Sequence, residues 1–171
     1  MTVAELSVTE YAVLGVLAEG PSHGFAISRE LAMDGEVGRI LTVRRPLVYR
    51  ALDRLVGEGL AVVVHTEQGG GPRRVIHRVT EKGRRRLRLW LTEPVGHVRD
   101  MRIGFLLKLA LLRRSDRSPL SLIRGQQRTL RPTLAALDEP GSDDHVELWR
   151  RHNALAAAAY LDDLEDLYDR V

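Results

Sequence analysis

The chain has 171 residues, 44% of them apolar, with 26 Lys and Arg against 23 Asp and Glu for a formal net charge of +3. That length and apolar content exclude global disorder and allow one sizeable domain or two small ones. The absence of cysteine excludes disulfides, thiolate zinc sites and cysteine nucleophiles.

Ser7-Val8-Thr9-Glu10 fits a capping box, with Leu6 and Tyr11 placed as its hydrophobic staple. The helix that follows carries Val13, Leu14, Val16 and Leu17 inward and stops near Gly20-Pro21. Ser22 is placed to cap a second helix from about His23 to Met33, with Ile27 and Leu31 on its buried side; His23 reads as a cap or turn partner. Gly35 and Gly38 break it, and Ile40-Leu41-Thr42-Val43 leads onward.

The third helix, over Arg44-Arg45-Pro46-Leu47-Val48-Tyr49-Arg50-Ala51-Leu52-Asp53-Arg54-Leu55, has two unlike faces. Leu47, Val48, Ala51, Leu52 and Leu55 gather on one side, and Pro46, Tyr49, Arg50, Asp53 and Arg54 on the other. Pro46 suits a first turn, and Gly57 and Gly59 end the helix. Arginines at the start, an aromatic hydroxyl and more arginine a turn later suit a helix lying in a groove of DNA.

Leu60 to Thr66 and Arg73 to Val79 are strand-like runs around Gly69-Gly70-Gly71-Pro72, which predicts a β-hairpin. Thr80 caps a further helix, Glu81 to about Leu91, whose outer face carries Lys82, Arg84, Arg85 and Arg88 as a solvated surface. From Arg39 to Trp90 there are thirteen basic residues against four acidic ones, a surplus of nine. From Asp138 onward ten acids face three arginines. A basic centre and an acidic tail suggest a polyanion-binding half joined to a half with other work. Helix, helix, arginine-faced helix, basic hairpin, helix is the order of a winged helix-turn-helix.

Pro94-Val95-Gly96 is the best boundary, dividing a DNA-binding domain over 1–95 from a helical dimerisation region, with effector sensing open to it, over 96–171. Three helices are expected there. Ile103 to Leu112, interrupted only by Lys108, is apolar nearly all round and predicts burial on more than one side. Ser118 as N-cap with Pro119 in the first turn opens a helix to about Leu137, its stripe Leu120, Ile123, Leu130, Leu134 and Leu137, with a bend at Pro132. The last, about Asp144 to Tyr168, lays Val146, Trp149, Ala156, Tyr160, Leu164 and Leu167 along a seam. So little helix with so much apolar stripe is marginal alone, so a homodimer is expected, with Phe105, Leu106, Leu109, Trp149, Tyr160 and Leu164 as its contacts. The fold class is mainly α with a small β-hairpin wing.

The chain resembles the PadR family of bacterial transcriptional regulators. The resemblance lies in Leu6-Ser7 through Leu17, Gly20-Pro21-Ser22-His23-Gly24-Phe25-Ala26-Ile27, Val48 through Leu55 with Gly57-Glu58-Gly59-Leu60, and Arg74 through Thr80 with Gly83. It covers about the first 93 residues; the acidic, tryptophan-containing tail is similar to the family's longer-tailed branch. The resemblance implies a homodimer formed by the C-terminal helices, repression of a nearby operon, and frequent relief by a small molecule such as a phenolic acid or drug. By position it sets Tyr49 and Arg50 of the third helix, and Arg73 and Arg74 of the wing, against DNA. The chain departs from the family pattern in three places. Arg44-Arg45-Pro46 stands where small polar residues are usual, Phe25 where tyrosine follows His-Gly, and His77 where the wing tyrosine lies.

The candidate DNA-binding set is therefore Arg44, Arg45, Tyr49, Arg50, Asp53, Arg54, Arg73 and Arg74. Arg50 is placed for guanine edges, and Arg44 and Arg45 for phosphates. Tyr49 either hydrogen-bonds a phosphate or packs under the wing. Asp53 either accepts from a cytosine amino group or pairs with Arg50 or Arg54. Trp90, Trp149 and Tyr160 either pack in a core or dimer seam or line a pocket for a small aromatic or hydrophobic effector. His65 and His77 lie on neighbouring wing strands, where they could face each other, but lack a third ligand, so no metal or other cofactor is expected. No P-loop, His-Glu-x-x-His or Gly-x-Ser-x-Gly pattern occurs, so no enzyme is expected. The partner expected is a pseudo-palindromic duplex operator. With no signal peptide apparent and no apolar run long enough for a bilayer, the expectation is a cytoplasmic protein without a membrane partner. The rival reading is a winged helix used to bind another protein, without DNA selection.

Overall fold

Ser7 opens α1 (Val8–Ala18) through a complete capping box. Its Oγ accepts from the Glu10 backbone N–H at 3.3 Å, and its own N–H donates to the Glu10 carboxylate at 2.6 Å. Two helix-end donors are thus satisfied at once, and both staple residues, Leu6 and Tyr11, are buried. The computed structural model describes residues 5–67, 73–136 and 144–170. By its contacts the chain divides into two units, Met1–Leu91 and Thr92–Val171.

The second helix starts later and ends sooner than its local pattern predicts. Ser22 and His23 form a short strand, β1, and α2 spans only Gly24–Glu30. The cap is the His23 imidazole, whose Nδ1 accepts from the Ala26 N–H at 3.2 Å. A two-residue strand has no periodicity to read; β1 exists because β3 lies beside it. Helix α3 (Arg45–Gly57) buries Val48, Ala51, Leu52 and Leu55, with Arg44 as N-cap and Pro46 in the first turn. Leu47, expected among the buried residues, is exposed. Gly59 closes α3 at φ +67°, a left-handed conformation that glycine adopts without strain.

Strands β2 (Ala61–Glu67) and β3 (Arg74–Val79) form the wing, and the three-stranded antiparallel sheet runs β1-β3-β2. The wing tip, Gly69-Gly70-Gly71-Pro72, lies outside the described residues. The register pairs His77 with Val63 and His65 with Ile76, with a bulge between Val63 and His65, so the two histidines are not cross-strand partners. His65 is exposed beside Glu67 at 3.3 Å, while His77 is buried.

Thr80 caps α4 (Glu81–Thr92): its Oγ1 accepts from the Gly83 N–H at 3.0 Å and donates to the Gly59 carbonyl at 2.8 Å. Several basic side chains of α4 are bonded rather than merely solvated. Arg84 donates to the Ala18 carbonyl near the end of α1, Lys82 to the Glu58 carbonyl near the end of α3, and Arg86 to the Tyr11 hydroxyl. Cations there complement the negative ends of both helices.

In the second unit, α5 (Val98–Asp100), a π-helical turn (Met101–Phe105) and α6 (Leu106–Arg114) succeed one another. Phe105 and Leu107 through Leu112 are buried on all sides, as the apolar run predicts. Lys108 is buried with them, 3% exposed, because its ammonium donates to the Glu93 carbonyl. Gln126, 2% exposed, grips the neighbouring residue, accepting from the Val95 N–H at 2.8 Å and donating to its carbonyl at 2.9 Å. Two buried polar side chains thus satisfy the backbone of a segment that has no ladder of its own.

Helix α7 spans Leu120–Ala135 with Pro119 itself as N-cap and Ser118 accepting from the Leu120 N–H at 3.4 Å. Its buried stripe is Leu122, Ile123, Gln126 and Leu130 rather than one continuing through Leu134; Leu137 lies outside the described residues. Helix α8 (His145–Asp169), capped by Asp144, packs on α7, and its buried residues are Ala154 and Leu161. Arg124 of α7 reaches Glu165 at 2.7 Å and Asp169 at 3.1 Å along the same contact. Most of the expected seam therefore lies outside the chain's own packing: Val146, Trp149, Ala156, Tyr160 and Leu167 are exposed. No helix among the described residues is long and apolar enough to cross a membrane.

Burial pushes the Lys108 ammonium down to about 8 from its ordinary 10.5, with the Glu93 carboxylate pulling weakly the other way. Between those values the unfolded chain holds the proton and the folded chain does not, so stability rises with pH there. Wild-type melting temperature should therefore climb relative to Lys108→Met from pH 8 to 10.5. Parallel profiles for the two proteins would show that the lysine titrates normally.

Candidate nucleic-acid interface

At the start of α3 the N-cap Arg44 offers no side-chain hydrogen bond to the helix, and Arg44, Arg45, Tyr49 and Arg50 are all exposed. A helix N-terminus with unsatisfied N–H groups and flanking cations favours anions. The Arg45 guanidinium lies 4.9 Å from the Phe25 ring centre and 5.8 Å from that of Tyr49. Gly24 is what lets the Tyr49 ring lie there: a Cβ at that position would stand 2.7 Å from the ring. The first helical residue of α2 and the face of α3 are thus joined by a contact in which any side chain at Gly24 would displace the Tyr49 ring.

A cavity of about 640 Å³ opens between the start of α2, α3 and the wing. Arg45, Arg73 and Arg74 bring positive charge to it, and Asp53 opposes them. Val56, Val63 and Val75 contribute apolar wall. His77 also lines it. Burial lowers the pKa of this imidazole against opposing contributions from the Val75 backbone and the Asp53 carboxylate, so the ring is neutral at pH 7. Its Nδ1 is buried without a hydrogen-bond partner among the described residues.

The expected DNA-facing residues divide by what they touch. Arg45, Tyr49, Asp53, Arg73 and Arg74 line the one groove, with Arg44 and Arg50 exposed on the same helix. Arg54 turns elsewhere. Its Nη1 donates to both Glu10 carboxylate oxygens, at 2.8 and 2.9 Å, and its Nη2 donates to the Glu5 carbonyl at 2.9 Å. Arg54 therefore does not make the expected local pair with Asp53, which is left exposed. Phe25, absent from the candidate set, belongs to this surface as an apolar ring in the first turn of α2, 46% exposed.

The aromatic residues considered for an effector pocket lie in separate settings. Trp90 stacks on Tyr11 at 4.2 Å in the first unit. Trp149 (70% exposed) and Tyr160 (38% exposed) stand on the outer side of α8. Of the expected dimer contacts, Phe105 and Leu109 are already covered by their own chain, and Leu106 is half-buried. No group of three or more His, Cys, Asp or Glu side chains among the described residues could hold a metal ion.

Residues 13–89, from within α1 to near the end of α4, match the Transcriptional regulator PadR-like family. Over that segment the chain is similar to the PadR-like family. The Negative transcriptional regulator PadR of Bacillus subtilis (strain 168) is 26% identical over 118 residues, 67% of this chain, and the chain spans 64% of that protein's length. The crystal structure of Bacillus subtilis PadR in complex with operator DNA is 19% identical, covers 96% of this chain and 97% of its own, and superposes with a TM-score of 0.50. The p-coumaric acid complex of the same regulator is 19% identical, with a TM-score of 0.47 over 95% of this chain and 99% of its own. At 19% identity the likeness to the operator complex is one of fold, a winged helix followed by helices.

Proposed function

We propose that the chain is a sequence-specific DNA-binding transcriptional regulator of the cytoplasm, acting as a homodimer and repressing its own or a nearby operon. The observation that carries this is the groove between α3 and the wing, where Arg45, Arg73 and Arg74 converge beside the exposed Arg44 and Arg50. Its setting, in a segment matching a family of transcriptional regulators, supports the same reading. Arg44, Arg73 and Arg74 hold phosphates, Arg45, Tyr49 and Arg50 face the major groove, and Asp53 borders it.

The partner copy packs on α8, whose outer face offers Leu148, Trp149, Leu155 and Tyr160. A dimer would set two α3 helices about 34–36 Å apart on a pseudo-palindrome. Relief by a small aromatic or hydrophobic effector completes the proposal; Trp149 and Tyr160 are the aromatic groups that α8 leaves open to it.

Binding to the promoter beside the chain's own gene should weaken roughly a thousandfold or more between 50 and 200 mM salt, as expected for about 6–10 phosphate contacts per dimer. Fluorescence anisotropy against specific and scrambled duplexes measures it. A flat salt response with no preference between the duplexes would overturn the reading in favour of a protein-binding module.

A further inference from the structure

The three arginines at and after the start of α3 are not equivalent. Among the described residues, Arg44 and Arg50 are exposed with no aromatic ring against them, whereas the Arg45 guanidinium lies near two rings, at 4.9 Å from Phe25 and 5.8 Å from Tyr49. Arg45 makes no hydrogen bond or ion pair among the described residues. Stacking occupies the faces of a guanidinium and leaves the N–H groups on its edge unused.

The two rings are themselves held. Tyr49 lies against the bare Cα of Gly24, where a methyl group would stand 2.7 Å from it. Phe25 lies near-parallel to the His23 imidazole, 6.4 Å between centres, and His23 is tied to the Ala26 N–H. Phe25 carries no hydroxyl, so it has no donor for a phosphate; its contact with Arg45 is what its exposed ring provides.

We infer that Arg45, clamped by Phe25 and Tyr49, reads a guanine in each operator half-site, with its planar fork directed to the O6 and N7 of one base. This rests on the DNA-binding reading above and adds a role that it does not contain. A phosphate contact needs charge at the right distance and tolerates a mobile side chain. A bidentate contact to guanine needs the fork held in place, and two rings within cation–π distance restrict where the guanidinium can lie. The position agrees, since residues at the N-terminus of a recognition helix are those that meet base edges.

The test uses the full chain and a pool of random duplex DNA. Wild type should select a motif with a guanine at one position of each half-site. Arg45→Ala and Arg45→Lys should both lose preference at that position, by about 5- to 150-fold, while the rest of the motif persists. Lysine keeps the charge, so Arg45→Lys should retain affinity for random duplex at low salt. Phe25→Leu should weaken that preference several-fold with the arginine intact, and Phe25→Tyr should restore it. Melting temperatures within about two degrees of wild type would show that these exposed substitutions leave the fold alone.

If Arg45→Ala instead weakens all sequences alike and lowers the salt slope by about one, Arg45 is a phosphate contact and the inference fails while the DNA-binding reading stands. If both Arg45 variants keep the full motif, the inference fails likewise. If wild type selects no motif at all, the DNA-binding reading falls and takes this inference with it.

Discussion

Gly83→Ala should destabilise the first unit by about 3 kcal/mol, the upper range for forcing atoms into a packed site. A Cβ at residue 83 would lie 2.1 Å from the Leu60 carbonyl oxygen and 2.9 Å from a methyl of Val79. Backbone cannot rotate aside as a long side chain can, so α4 must lift from the sheet. That carbonyl accepts from the Thr80 N–H at 2.9 Å, and Thr80 also caps α4 through the Gly83 N–H. One added methyl therefore strains the cap, the β2 entry and the helix packing together. Alanine's better helix propensity, worth about 1 kcal/mol over glycine, is too small to compensate. In a thermal melt the drop should be on the order of 10–20 °C. A variant melting within about two degrees of wild type would show that α4 has room to move.

The second large effect concerns Arg54, where stability and DNA binding should separate. Its guanidinium bridges 44 residues of sequence to Glu10, 2.8 Å away. Glu10 is 8% exposed, so removing the arginine strands a buried carboxylate. Arg54→Ala should cost about 2–3 kcal/mol, below the range for a fully buried pair because the arginine side is half open to water. The salt slope of DNA binding should stay unchanged, because Arg54 contributes no phosphate contact. If the melting temperature holds and the slope falls by about one, Arg54 faces DNA and the contact with Glu10 is incidental.

The same pair shapes the acid limb of stability. Burial raises the Glu10 pKa, but hydrogen bonds from Ser7 and the Arg54 charge outweigh it, leaving the carboxyl below its ordinary 4.5. A depressed carboxyl contributes stability that is present above the unfolded pKa and lost as pH falls through the folded one. Acid unfolding of Arg54→Ala should therefore be shallower in that window than that of wild type.

Both predictions turn on contacts that no local pattern announces. At helical period Arg54 belongs with Tyr49, Arg50 and Asp53. What takes it from that group is Glu10, which its own neighbours mark only as the last member of a capping box. Likewise the α4 cations read as a solvated face, because nothing nearby in sequence says that the ends of α1 and α3 lie within reach. Lys108 reads as an interruption in an apolar run; its burial depends on the Glu93 carbonyl arriving from the preceding segment.

What the residues determine by themselves is local. The Ser7 box, the Thr80 cap, Pro46 in the first turn of α3, the left-handed Gly59 and the strand runs on either side of the wing act over a few residues, through hydrogen bonds and steric limits within one turn or strand. Their order was enough to specify a winged helix, and the arginine-rich start of α3 marked the surface to watch. Tertiary structure decided the rest: that Ser22 and His23 are strand because β3 pairs with them, that Arg54 pairs with Glu10, and that Phe25 faces Arg45. It also left most of the apolar seam of α8 uncovered by its own chain. Each of these depends on which distant groups desolvate one another, and sequence spacing carries little of that information.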